Sequence, residues 1–183
     1  PIYKNINKKK IIEIKIINIF MGGTDFKNES EKIIKICSNF NYNIIYDVII
    51  GKCNKYYLKI RDLCKKLGNF NYYYNPINFV EILAKADLCI GASGTTMFER
   101  CILNIPTLII VTAENQISCV EKFIKNKCGK IIGDINNSSY ELKIKKEIEN
   151  FKNDPKELIL MSDNCKKICN KKNLTKLSDM LIV

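Results

Sequence analysis

Histidine is absent from all 183 residues of this chain. Without an imidazole there is no obvious general base at neutral pH. A zinc site would have to be built from thiolates and carboxylates alone. The nine cysteines are Cys37, Cys53, Cys64, Cys89, Cys101, Cys119, Cys128, Cys165 and Cys169. They form no Cys-x-x-Cys pair, and an odd number does not suit a disulfide framework. Several sit in apolar runs, where a thiol behaves as a small hydrophobe. We read them as reduced core cysteines of a cytosolic protein, with no metal and no cofactor implied. No apolar run is long enough to span a membrane. No signal-peptide pattern follows Pro1, so the chain is expected to begin inside a longer polypeptide, with residues 1–10 as a polar linker. Internal repeats and low-complexity tails are also missing.

What is present is the composition of a globular domain. Apolar residues make up 46% of the chain, and its length suits one domain with a real core. The 30 basic and 19 acidic side chains leave 30 − 19 = +11. A basic balance raises the question of nucleic acid. Here the lysines are spread over Lys8–Lys10, Lys65–Lys66, Lys143, Lys145–Lys146 and Lys171–Lys172 rather than gathered in one stripe. The aromatics do not alternate with them as stacking platforms, so no nucleic-acid role is assigned. Tyr56, Tyr57 and Tyr72–Tyr74 read as strand and surface packing.

Strand and helix signals alternate along the chain. Ile11–Phe20, Asn43–Ile50, Phe70–Tyr74, Leu88–Ile90, Thr107–Val111 and Lys130–Ile132 read as strands. Between them, Glu29–Phe40, Lys55–Leu67, Ile77–Ala86, Thr96–Asn104 and Asn115–Lys127 read as helices, with Gly68 and Gly129 as stops. Helices alone follow: Ser138–Phe151, Asp154–Cys169 with Pro155 at the first helical position, and Leu174–Val183. This rhythm predicts βαβ units, hence a Rossmann-like α/β fold. Its doubly wound parallel sheet of about six strands is followed by a helical C-terminal tail.

In such a sheet, ligands sit beyond the carboxyl ends of the strands, and the notable loops all fall there. Gly22-Gly23-Thr24-Asp25 follows the first strand. Its glycines allow close backbone approach to a phosphate, though a Gly-Gly turn can also be only a turn. It is neither the Gly-x-Gly-x-x-Gly pattern nor a phosphate loop with its lysine. Ser93-Gly94-Thr95-Thr96 follows the fourth strand and opens a helix, whose N–H groups and hydroxyls suit an anion or serve ordinary capping. Glu99, one turn in, gains from the helix dipole or closes a capping box; equally, it suits two ribose hydroxyls. Glu114, Asn115 and Gln116 follow the fifth strand, in a segment that also reads as a plain helix start. Two small-residue loops at neighbouring strand ends suggest a nucleotide diphosphate.

Taken in order, four motifs are recognisable: Gly-Gly-Thr-Asp, Ala-Asp-Leu-Cys-Ile-Gly-Ala-Ser-Gly-Thr-Thr-Met-Phe-Glu-Arg-Cys, Ile-Pro-Thr and Ala-Glu-Asn-Gln. The set resembles the C-terminal half of the UDP-sugar hydrolases of pseudaminic acid synthesis. More distantly, it is similar to the C-terminal domain of the N-acetylglucosaminyl transferase of peptidoglycan synthesis. Both are GT-B proteins of two Rossmann-like domains, and the likeness covers about residues 11 to 130. It implies a UDP-sugar-binding domain over residues 11–183, with a partner N-terminal half that carries a catalytic histidine. It implies that Gly22, Gly23, Thr24 and Asp25 line the diphosphate, and that Ser93, Gly94, Thr95 and Thr96 bind phosphate. Glu99 would then grip the ribose. Backbone near Asn75 and Pro76 would meet the uracil, and Glu114, Asn115 and Gln116 would face the sugar. The reaction implied is cleavage of the anomeric C–O bond to free sugar and UDP; the alternatives are the donor-binding half of a GT-B glycosyltransferase and a stand-alone UDP-sugar-binding module. No catalytic residue is assigned within this chain.

Overall fold

The six expected strands are present: β1 (Ile16–Phe20), β2 (Ile45–Ile50), β3 (Phe70–Tyr74), β4 (Leu88–Ala92), β5 (Thr107–Val111) and β6 (Gly129–Asp134). The computed structural model describes residues 10–113, 116–136 and 140–169. Between and after the strands lie α1 (Glu29–Ser38), α2 (Tyr57–Lys66), α3 (Phe79–Ala84), α4 (Thr96–Ile102), α5 (Ile117–Lys125), α6 (Glu141–Asn153) and α7 (Lys156–Ile168). The strands form one sheet in the order β3-β2-β1-β4-β5-β6, and every pairing is parallel. The expected doubly wound parallel sheet is therefore present. The chain steps outward from β1 to β3, then returns to lay β4 on the other side of β1. That reversal opens a crevice between the carboxyl ends of β1 and β4. Ile19 pairs with Ile90 and Phe20 with Gly91, so the loops after both strands leave from one edge, side by side.

Successive strand residues point to opposite faces and both faces are covered. Ile17, Ile19, Leu88, Ile90, Leu108 and Ile110 pack under α1, α2 and α6. The opposite face carries Ile109 under α4 and α5, and Cys89 under α3. Helix α7 reaches both layers: Leu158 and Met161 join the first core, Cys165 the second. No helix among the described residues is long and apolar enough to cross a membrane.

The boundaries depart from expectation where a polar contact overrides the apolar pattern. The first strand begins at Ile16, not Ile11. Ile11 and Ile14 are buried, but Ile12 is 59% exposed, so the run is not a two-sided strand. Its entry is fixed by Asp87, whose Oδ2 accepts from the N–H groups of Lys15 and Ile16, each at 2.9 Å. Ile77 lies outside α3 and is fully exposed, because Asn75 adopts a left-handed turn (φ 42°) before Pro76 and delays the helix. After α5 the chain turns at Lys127 (φ 54°), and Gly129 opens β6 instead of stopping the helix. Pro155 sits just before α7, one position earlier than expected. The tyrosines pack as read: Tyr57 stacks on Tyr74 at 4.8 Å, and Tyr72 Oη donates to the Tyr57 carbonyl at 2.9 Å. The expected linker up to residue 9, the start of the Ser138 helix, Glu114, Asn115 and the last helix, Leu174–Val183, lie outside the described residues.

Candidate functional site

The crevice at the β1/β4 reversal is a cleft of about 440 Å³. One wall is Met21 to Lys27 from the loop after β1; the other is Ala92, Gly94, Thr95 and Thr96. Thr112, Ala113 and Gln116, after β5, and Ile135, after β6, close the far end. A smaller depression of about 270 Å³ shares Phe20, Gly23 and Thr96 with the cleft and continues to Gly51, Lys52, Asn75 and Pro76. A strand-end groove thus runs from the tip of β3 to the tip of β6.

The loop after β1 is shaped by its glycines. Gly22 has φ 90°, a conformation other residues rarely adopt. A Cβ on Gly51 would lie 2.5 Å from the Gly23 Cα, so the bare backbones of two strand ends touch. Asp25 then anchors the loop to α1. Its Oδ1 accepts from the N–H of Glu29 at 2.8 Å and its Oδ2 from Ser30 at 3.0 Å. The carboxylate is therefore a helix cap at the cleft wall, satisfying donors that α1 would otherwise leave open. Burial pushes the Asp25 carboxyl above its ordinary value, against the pull of those bonds. Beyond it, Lys27 donates to the Ile135 carbonyl at 3.2 Å and to Asn136 Oδ1 at 2.8 Å, which sets a cation on the rim.

The opposite wall is the start of α4. The N–H groups of Met97 and Phe98 turn back on the carbonyls of Gly94 and Thr95 at 2.9 and 3.0 Å. Gly94, Thr95 and Thr96, ahead of that turn, line the cleft. Ser93 does not; it is 2% exposed and braces the wall from behind. Its Oγ donates to Gln116 Oε1 and accepts from the Thr112 N–H at 3.1 Å, while Thr112 Oγ1 also donates to Gln116 Oε1 at 3.0 Å. With Oε1 occupied, the Gln116 Nε2 is the end nearest the wall, 3.8 Å from where a Gly94 Cβ would stand.

The fold thus brings Gly22, Gly23, Thr24, Asp25, Gly94, Thr95, Thr96 and Gln116 to one cleft, with Asn75 in the adjoining depression. Glu99 is half-buried in the first turn of α4, outside the lining of either hollow. Glu114 and Asn115 lie outside the described residues. Sequence reasoning missed Lys27 and Ile135, which no motif marks, and the internal duty of Arg100. That arginine is fully buried, and its Nη2 donates to the Ala92 carbonyl at 2.6 Å, stiffening the strand end that carries the wall. Nor did the cysteines stay scattered. Cys101 in α4, Cys128 just before β6 and Cys165 in α7 converge away from the cleft.

No protein-family model matches the chain. Two curated relatives do. An uncharacterised protein of Methanocaldococcus jannaschii, MJ1062, is 28% identical over 123 residues, which is 66% of this chain and 25% of that protein. The pseudaminic acid cytidylyltransferase and UDP-2,4-diacetamido-2,4,6-trideoxy-beta-L-altropyranose hydrolase of Helicobacter pylori is 32% identical over 114 residues, 61% of this chain and 20% of that protein. The chain spans at most a quarter of these relatives' lengths. Among solved structures, WaaG, a glycosyltransferase of lipopolysaccharide biosynthesis, aligns over 99% of this chain and 50% of its own, with TM-score 0.66 and 18% identity. Acinetobacter baumannii MurG aligns over 92% and 49%, with TM-score 0.66 and 13% identity. Anabaena HepE, solved with UDP and glucose, aligns over 93% and 49%, with TM-score 0.63 and 8% identity. The fold is that of a GT-B C-terminal domain.

Proposed function

We propose that this chain is the nucleotide-binding half of a UDP-sugar hydrolase acting in surface-sugar biosynthesis. In this reading the pyrophosphate lies between Gly22–Thr24 and Gly94–Thr96, the uracil extends toward Asn75 and Pro76, and Glu99, which lines neither hollow, would turn toward the cleft to take the ribose. The observation that carries it is the meeting of those two loops at the sheet's topological reversal. A hydrolase is favoured by the 32% identity to the Helicobacter pylori protein, whose name includes such an activity. The rival reading, the donor half of a glycosyltransferase, draws on the fold shared with WaaG and MurG.

The chemistry divides accordingly. UDP is a good leaving group, so much of catalysis is holding the diphosphate and aiming water at the anomeric carbon. Backbone N–H groups at the α4 start, with Lys27 at the rim, suit the first task. General-base assistance, worth roughly 10²–10⁴ in rate, would come from a second half, because this chain has no histidine. Calorimetric titration tests the reading. UDP should bind more tightly than UMP, and Glu99→Gln should weaken UDP by about 1–3 kcal/mol with folding intact. Equal affinity for UMP and UDP would remove the diphosphate from the account. Free sugar released by the full-length protein without an added acceptor would favour hydrolase over transferase.

A further inference from the structure

Four cysteines from three stretches of the chain lie near one another on the sheet face opposite α1. Cys101 lies in α4, Cys128 immediately before β6, Cys165 in α7, and Cys169 at the end of α7, one turn on. The Sγ atoms of Cys101, Cys128 and Cys165 all lie within 4.8 Å of one another. The Sγ of Cys169 is 3.4 Å from that of Cys101. The first three are buried and Cys169 is half-buried.

We propose that these four thiols are a tetrathiolate site for a thiophilic divalent cation, with zinc the natural occupant. Zinc–sulfur bonds of about 2.3 Å set tetrahedral sulfur–sulfur separations near 3.8 Å. The 4.8 Å limit within the Cys101, Cys128 and Cys165 trio admits that value; Cys169, 3.4 Å from Cys101 but outside the mutual trio, would close the site by turning its side chain toward the other two. The donor set is uniform and soft, which selects zinc over magnesium or calcium. Binding would release four thiol protons to solvent and leave a site of net charge −2. Two cations adjoin the cysteines in sequence, Lys127 before Cys128 and Lys166 after Cys165, and Lys167 is two residues from both Cys165 and Cys169. Four apolar side chains would fill this space as well as four thiols do, so packing alone does not call for cysteine in all four places. The cation's work would be structural. It would clip α7 to α4, the helix whose start forms one cleft wall, and to the entry of β6.

The site stands independently of the proposed nucleotide chemistry, and its test does too. The protein is expressed with zinc in the medium, purified without chelator, and its metal measured by mass spectrometry of the elements. One zinc per chain is expected. Cobalt added to stripped protein should give the visible and near-ultraviolet bands of tetrahedral thiolate ligation. Cys169→Ser, at the half-buried position, should keep its circular dichroism and lose at least tenfold in cobalt affinity. Cys53→Ser, exposed and remote, should bind as the parent does. Protein that folds without metal and gives no cobalt thiolate bands overturns the proposal. So does a Cys101–Cys169 disulfide, seen as an intact mass lower by two hydrogens together with a proteolytic peptide pair joined at those two residues.

Discussion

A Cβ on Gly91 would overlap Nη1 of Arg100. The glycine at the end of β4 and the buried arginine of α4 are thus one fitted pair: the missing side chain is the space the guanidinium occupies. The same Cβ would come within 2.9 Å of the Phe20 carbonyl, so neither neighbour can yield easily. Gly91→Ala should cost about 1–3 kcal/mol by overpacking, read as a lower urea midpoint at unchanged slope. A midpoint equal to the parent's would mean that Arg100 swings out and that the wall is softer than described.

Removing the Asp25 carboxylate opens two N–H donors at the start of α1. Asp25→Ala should destabilise by about 1–2 kcal/mol, the cost of losing a helix cap. Hydrogen exchange should rise first at Glu29 and Ser30. Uniform acceleration across the sheet, with no local excess there, would contradict the capping role.

Behind the opposite wall, Ser93→Ala leaves Gln116 Oε1 with one donor fewer and the Thr112 N–H with no acceptor. The expected loss is about 1 kcal/mol, the net worth of hydrogen bonds at a partly buried site. Ser93→Cys should not restore it, because a thiol is a weak acceptor. Thermal unfolding of both variants decides the point.

Glu31 supplies a pH signature. Burial alone would raise its carboxyl, but the ammonium groups of Lys35 at 2.7 Å and Lys59 at 3.0 Å, with the Asn28 amide, outweigh that and hold it at about 2 instead of 4.5. A depressed folded value means the stabilisation is fully present above the unfolded value. It is lost as pH falls through the folded one. Denaturant midpoints should therefore drop between about pH 4.5 and 2, with a shallower drop in Glu31→Gln. Parallel profiles for parent and variant would show that other carboxylates carry the acid sensitivity.

The sheet was legible because strands buried on both faces read as continuous apolar runs, and each βα loop falls between two of them. Leu108 to Val111, within the strand read at Thr107–Val111, announces β5 in that way. What stayed hidden was set by tertiary contact. The Ile11–Phe20 run looks uniform, yet Asp87, far along the chain, decides where β1 starts. Nothing in the sequence marks Arg100 as internal, yet it is fully buried, because Gly91 leaves it room. Asp25 and Ser93 read as ligand groups; the fold engages the carboxylate of one and the hydroxyl of the other in its own hydrogen bonds. The cysteines carried no spacing signal, since their meeting depends on α7 folding back on α4.

Crystals of the protein grown with uridine diphosphate address the central claim most directly. The account predicts pyrophosphate density between Gly22–Thr24 and Gly94–Thr96, with the uracil directed toward Asn75. Density for the nucleotide on another face, or a vacant cleft at concentrations that saturate binding in solution, would contradict it.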